Sequence, residues 1–268
     1  MGDGSVRLSR KEGMTVNLTV SDLRYTYFPL TEALRDLTFS VDAFPLVILG
    51  PNGAGKSTFL RLLTTQLLSR RGSITLDGDS TATRGGRRAL RSQIGWLPQT
   101  VIPIPGLRAR EQVAYSGWLK GMSRGAAWDA AEVALHRVDL QDQEKVGAGR
   151  LSGGQLRRLG IAQAIVNAPS TLLLDEPYAG LDPEQRGHVR HLIAELAEDT
   201  SVIASTHQTE DLATVYRSVV IIADGTSRFC GSVDEFLAHD HAGVDTAARA
   251  ENAYRSVLRG SDLSAANP

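Results

Sequence analysis

Cysteine is all but missing: Cys230 is the single one in 268 residues. No disulfide can form within the chain, which suits a reducing compartment and excludes a disulfide-stapled secreted scaffold. Long apolar runs are missing as well. None approaches the roughly 18 residues a membrane-spanning helix needs, so any service to a membrane is expected from outside the lipid. The opening MGDGSVRLSRKEG lacks the apolar core of a signal peptide. Residues 1–13 read as a disordered segment of Gly, Ser and charge. There is no basic excess: 29 Lys and Arg against 30 Asp and Glu give a formal net charge of -1. That leaves no electrostatic footprint for nucleic acid. Heptad runs are absent too. The remainder, 42% hydrophobic and 22% charged, fits a globular protein of one large domain, or of one domain with a smaller lobe.

The most informative stretch is Gly50-Pro51-Asn52-Gly53-Ala54-Gly55-Lys56-Ser57-Thr58. Leu46 to Leu49 before it is a short apolar run of the kind buried strands show, and Phe59 to Leu63 after it begins a helical pattern. A glycine-rich loop between strand and helix is a phosphate cradle. Its glycines let backbone N–H groups turn toward phosphate oxygens, and the helix N-terminus adds its free donors and dipole. Lys56 is expected at the β- and γ-phosphates, with the Ser57 hydroxyl on Mg²⁺ and Thr58 as a second hydroxyl.

Upstream, Thr15 to Val20 and Leu37 to Val41 read as strands flanking Tyr25, Tyr27 and Phe28. An aromatic there can stack on a purine or pack a small antiparallel sheet. Downstream, Ser73 to Leu76 and Gln93 to Leu97 read as strands. Arg84, Arg87, Arg88 and Arg91 between them read as a solvated helix face. The proline-rich Val101 to Gly106 leads into a helical insertion over Leu107 to Val138. There Trp128, Ala131, Leu135 and Val138 recur at helical spacing and predict one buried face. Core packing is also the expectation for Trp118 and Met122.

Leu151-Ser152-Gly153-Gly154-Gln155 heads another helix, with Ser152 as N-cap and glycines that leave backbone donors accessible. The apolar run Thr171 to Leu174 then predicts a buried parallel strand ending in Asp175 and Glu176. At that end of a strand, side chains reach the ligand crevice. Asp175 is expected to hold Mg²⁺ through water, and Glu176 to take a proton from an attacking water. Asp182 sits in a turn opening a helix from Glu184 to Ala197. Val202 to Ser205 predicts a strand that delivers His207 to the same crevice, as a donor to a γ-phosphate oxygen. Ser218 to Ala223 and Thr226 to Cys230 predict a hairpin. One helix is expected in the tail, with Ala250, Tyr254, Val257 and Leu258 on one face.

With these motifs in this order, the chain from about Val16 to Leu237 resembles the ATP-binding cassette family, specifically the ATPase subunit of an ABC transporter. Gly50 to Thr58 matches its Walker A loop, Gln99 its Q-loop and Leu151 to Gln155 its signature. Leu172 to Glu176 matches Walker B, Ala179 to Asp182 the D-loop and His207 the switch histidine. Tyr27 fits the adenine-stacking position better than Tyr25. Three features depart from the pattern: Asp42 to Pro45 lacks the usual glycine, and Tyr178 and Trp96 replace commoner residues. Leu156 to Gly160 and Glu251 to Tyr254 look most like a drug- or antibiotic-export branch.

The resemblance implies an α/β fold: a P-loop NTPase core with an antiparallel β subdomain and a helical subdomain. The ATPase domain is expected over 14–237, its helical part at about 100–160, and a tail over 238–268. Implied cofactors are ATP and Mg²⁺, the latter on Ser57, Gln99 and Asp175. Glu176, His207 and Lys56 become the catalytic set. Tyr27, Gly50 to Thr58, Gln99, Ser152, Gly153, Gly154, Gln155 and Asp182 become the nucleotide contacts. Two cassettes are implied to close head to tail, with Ser152 and Gly154 of one meeting the γ-phosphate held by Lys56 of the other. The implied partners are a second ATPase subunit and a transmembrane permease subunit, with no nucleic acid. The implied location is the cytoplasmic face of the cell membrane. The competing readings are a soluble cassette ATPase acting on the ribosome, DNA or an assembly machine, and an ATP-binding regulator without hydrolysis.

Overall fold

The computed structural model describes residues 16–210, 212–240 and 246–264; the opening segment expected to be disordered lies outside them. The chain begins with strands β1 (Leu18–Tyr27), β2 (Thr31–Val41) and β3 (Leu46–Leu49), then helix α1 (Lys56–Leu63). Next come β4 (Arg71–Leu76), β5 (Asp79–Ser80), α2 (Arg84–Gln93) and β6 (Ile94–Leu97). Helices α3 (Ala109–Leu119), α4 (Arg124–Arg137) and α5 (Gly153–Ile165) follow, then β7 (Thr171–Asp175), α6 (Pro183–Asp199) and β8 (Ser201–Thr206). The described chain closes with α7 (Leu212–Val215), β9 (Ser218–Ala223), β10 (Thr226–Ser232), α8 (Val233–Leu237) and α9 (Thr246–Ser264).

Two sheets result. One is antiparallel, in the order β2-β1-β4-β5; the other runs β10-β9-β3-β8-β7-β6. In the second, every pairing from β9 to β6 is parallel and only the β9–β10 hairpin is antiparallel. Strands buried on both faces need apolar residues at every position, and β3 and β9 show just that run in sequence. Their alternation splits the interior into two cores. Leu46, Ile48, Leu173, Ile203, Val220 and Ile222 face the side covered by the antiparallel sheet and α1. Val47, Leu49, Leu172, Leu174, Val202 and Ala204 face the side covered by the remaining helices. The tail helix α9 joins this second core, burying Ala250 and Ala253 with Tyr254, Val257 and Leu258 packed alongside. Among the described residues no helix is long and apolar enough to cross a membrane.

Several expectations need correction. The first strand does not stop at Val20; it continues through Tyr27, past irregular pairing near Asp22. Asp22 has φ +47, and that break in the pleat hides the strand from an alternation test. Trp128 is not on the buried face of α4 and is 44% exposed. Its ring instead carries the Arg110 guanidinium, 4.4 Å from the centroid. Trp118 is likewise exposed, stacked at 5.8 Å with Tyr115, and Met122 is only partly buried. The arginine cluster is not uniformly solvated. Arg84 and Arg88 are exposed, but Arg87 donates to the carbonyls of Thr81 and Ala82, and Arg91 to the Thr65 hydroxyl.

Candidate functional site: a phosphate loop and two strand tips

Three adjacent strands of the mixed sheet, β3, β8 and β7, deliver the site at their carboxyl ends. From β3 the chain enters Gly50, where the backbone runs close to β9: a Cβ on this residue would lie 2.1 Å from the Ile222 carbonyl oxygen. No side chain larger than hydrogen fits. Gly55 then turns into α1 at φ +103, a conformation glycine adopts without strain. No side chain caps α1, so its first-turn donors face the loop. Lys56 is buried, and its ammonium donates to the carbonyls of Gly50 and Pro51 at 2.7 and 3.1 Å.

Glu176 follows directly on β7 and is 7% exposed. One carboxylate oxygen lies 3.4 Å from Lys56 Nζ, the other 2.9 Å from His207 Nδ1. The structure therefore brings the expected catalytic set of Lys56, Glu176 and His207 into one chain of polar contacts. Burial pushes the Lys56 ammonium below the ordinary lysine range, opposed by the nearby Glu176 and Asp175 carboxylates. Glu176 has φ +49, which costs a non-glycine residue roughly 1–2 kcal/mol. Neighbours hold it there: its amide donates to Ser205 O and Oγ at 3.1 Å, and Arg157 grips its carbonyl at 2.6 Å.

Asp175 is 1% exposed. Its Oδ1 accepts from Ser57 at 3.0 Å and from Ser205 at 2.6 Å. Gln99 lines a cavity of about 330 Å³ together with Asp175. This donor set is all oxygen, and the described residues contain no cluster of three or more His, Cys, Asp or Glu that would cage a metal. A hard divalent ion that keeps water and phosphate oxygens fits such a set, as Mg²⁺ does. Tyr27 stands beside the loop, its hydroxyl 3.3 Å from Thr58 Oγ1 and its ring edge-on to Tyr25 at 4.9 Å.

The signature residues lie elsewhere. Ser152 caps α5, accepting from the Gln155 amide at 3.3 Å, and the Gln155 side chain returns to the Ser152 amide at 2.9 Å. Asp182 caps α6 in the same manner through the Gln185 amide. Ser152, Gly154, Gln155 and Asp182 share a cavity of about 300 Å³, with no residue of the Gly50–Thr58 loop in its wall. Gly153 stands exposed at the head of α5, and Pro51, Asn52 and Gly53 are exposed at the loop tip. One chain thus holds two separate surfaces, one with the phosphate loop and one with the signature.

Sequence reasoning missed Arg157 and Ser205. Arg157 is buried and donates to five carbonyls: Pro98, Gln99, Asp175, Glu176 and Pro177. Desolvation lowers its pKa to about 10, which still leaves it charged near neutrality. Its signal was an arginine on the buried face of α5, spaced with Gly154, Ile161 and Ala164. For Ser205 the signal was a hydroxyl closing the apolar run Val202 to Ala204.

Comparison with known proteins gives the family. The family profile described as ABC transporter matches residues 34–179. The chain is 35% identical over 220 residues to the Nod factor export ATP-binding protein I of Bradyrhizobium diazoefficiens, covering 79% of this chain and 69% of that protein. It is 34% identical over 253 residues to the phosphonates import ATP-binding protein PhnC 2 of Haloarcula marismortui, covering 87% and 88%. Among solved structures it is similar to the dimeric post-hydrolysis state of the ATP-binding cassette MJ0796 bound to ADP and Pi. There the TM-score is 0.71 at 25% identity, over 81% of this chain and 98% of that one. Profile, relatives and site together place the chain in the ABC transporter family, as an ATP-binding and ATP-hydrolysing subunit.

Proposed function

We propose that the chain hydrolyses ATP at a composite site made by two cassettes, and that closure and opening drive export through a separate transmembrane permease subunit. The observation that carries the reading is the separation of the two surfaces. Lys56, Ser57, Asp175, Glu176 and His207 form one connected cluster, while Ser152 and Gly154 line a different cavity. Each chain thereby supplies half of two sites.

In this reading Lys56 leaves the Gly50 and Pro51 carbonyls for the β- and γ-phosphates, and the α1 N-terminus binds the same anion. Ser57, Gln99 and, through water, Asp175 would hold Mg²⁺, which would supply charge neutralisation for the phosphate oxygens. Glu176 takes the proton of the attacking water, and His207 donates to the γ-phosphate while fixing the Glu176 carboxylate. Tyr27 stacks on the adenine. Ser152 and Gly154 of the second cassette complete the γ-phosphate contacts, with Gly153, Gln155 and Asp182 beside them. The ATPase unit is assigned to residues 14–237, with α9 packed against its core.

The permease is assigned to the groove beside α3, a cavity of about 370 Å³ lined by Trp96, Val101, Ile102, Leu119 and Lys120. Ile102 and Leu119 are 74% and 63% exposed there, an apolar rim suited to a partner's cytoplasmic segment. The relatives act in both directions. Export is proposed here on the resemblance carried by Leu156 to Gly160 and Glu251 to Tyr254.

The test is Glu176→Gln. With ATP it is expected to form a stable dimer by sedimentation and to hydrolyse at least about a hundredfold more slowly. A monomer with normal turnover would end the composite-site reading. Copurification from detergent of a ribosome or another soluble machine, in place of a membrane protein, would end the permease assignment.

A further inference from the structure

The loop that carries His207 is also gripped from the far end of the chain. Thr209, two residues beyond His207, is buried. Its hydroxyl donates to Glu251 Oε2 on α9 at 3.2 Å. The other Glu251 oxygen accepts from Arg255 Nε at 3.0 Å, one helical turn on, so the carboxylate is fixed from both sides. Its helix is fixed as well, through the buried Ala250 and Ala253. Within the loop, the Gln208 amide donates to the Thr206 hydroxyl at 3.1 Å and the Leu212 amide to the Thr209 carbonyl at 3.2 Å. The described residues just after β8, His207 to Glu210, are therefore tied to α9 at Thr209.

We propose that Glu251 and Thr209 are a positioning pair: α9, through this bond, sets the turn that presents His207 to Glu176 and to the γ-phosphate. The inference rests on the role given to His207 above and brings the C-terminal helix into the hydrolytic apparatus. Physical reasoning favours the link. The His207 side chain is 39% exposed and, among the described residues, is held by a 2.9 Å contact to Glu176, so its place depends on its backbone. A bond from a hydroxyl to a carboxylate is charge-assisted and stronger than a neutral one. A misplacement of about 1 Å at a reacting group costs up to a hundredfold in rate. The phosphate loop follows a different strand, β3, and its Gly50 amide donates to the Thr206 carbonyl at 3.3 Å, ahead of Thr209, so the effect is expected on turnover and not on nucleotide affinity.

The experiment is steady-state ATP hydrolysis by the full chain in Thr209→Val, Thr209→Ser, Glu251→Ala, Glu251→Gln, the Thr209→Val/Glu251→Ala double variant, and His207→Ala. Thr209→Val and Glu251→Ala are each expected to lower kcat about tenfold, with KM for ATP within about twofold. The Ser and Gln variants keep an oxygen for the bond and are expected within about threefold of wild type. The double variant is expected to fall no further than the worse single, because both remove one bond. Normal turnover in Thr209→Val and Glu251→Ala alongside an inactive His207→Ala would overturn the pair, as would additive losses or a rise in KM alone. Wild-type turnover in His207→Ala would instead remove the underlying assignment. Should Glu251→Ala fail to fold, the contrast between Thr209→Val and Thr209→Ser deletes the same bond with α9 untouched, and equal turnover in those two overturns the proposal.

Discussion

Arg157 Nη2 donates to the backbone carbonyl of Glu176 at 2.6 Å, so the residue with the candidate base is held through its main chain by the helix that begins at Ser152. The same guanidinium also reaches Gln99 O at 2.9 Å. One side chain thus joins the signature helix, the Gln99 loop and the end of β7.

Removing it has a calculable cost. Arg157→Ala strands buried carbonyls that have lost their donor, a loss of about 3 kcal/mol. For a chain this long that is a fall in Tm of about 6–12 °C, measurable by calorimetry. Arg157→Lys is expected to recover less than half, because an ammonium cannot serve the planar fan of acceptors a guanidinium serves.

Two glycines in the site are expected to fail differently. Gly50→Ala sets a methyl 2.1 Å from a backbone oxygen of β9. The sheet cannot yield there, so destabilisation of about 3 kcal/mol is expected in a denaturant titration. Gly154→Ala meets the Gln185 side chain, with Oε1 at 2.6 Å, and that chain can swing away. Helix propensity returns up to about 1 kcal/mol, so stability is expected to hold within about 1 kcal/mol. ATP turnover is expected to drop at least about tenfold, because the methyl intrudes on the surface assigned to the second cassette's phosphate.

Low pH is expected to loosen α8. The Ser232 amide donates to Glu235 Oε2 at 2.8 Å and the Ser232 hydroxyl at 2.9 Å, which holds this carboxyl below its ordinary value of 4.5. A depressed carboxyl stabilises the fold above its unfolded pKa, and that contribution is lost as pH falls below 4.5 through the folded value. Carbon-13 NMR titration of Glu235 is expected to give a midpoint below 4.5, moving upward in Ser232→Ala, which keeps the amide donor and loses the hydroxyl.

The phosphate loop, the Ser152 cap and the carboxylates at the end of β7 were legible because each is a local event. A turn, a cap and a strand end leave their marks on consecutive residues. The buried runs of β3, β8 and β9 were legible because a strand covered on both faces has no polar alternation to confuse. Trp128 was misread because helical spacing reports a stripe and not what covers it. Arg110 supplies a cation for that ring from another helix. Arg157 and the Thr209–Glu251 contact were hidden for a related reason: their partners are 18 to 59 and 42 positions away in sequence, and only the fold makes them neighbours.

Strand β6 is the rim of the mixed sheet, and the long excursion through α3, α4 and α5 leaves from it and returns one place inward. That excursion never crosses β3 or β8. The part of it in α3 and α4 can therefore drift in length and surface without any strand that carries phosphate chemistry changing its neighbours, while α5, with Ser152, Gly154 and Arg157, stays fixed. Recognition can be replaced at the margin while hydrolysis stays bolted to the centre.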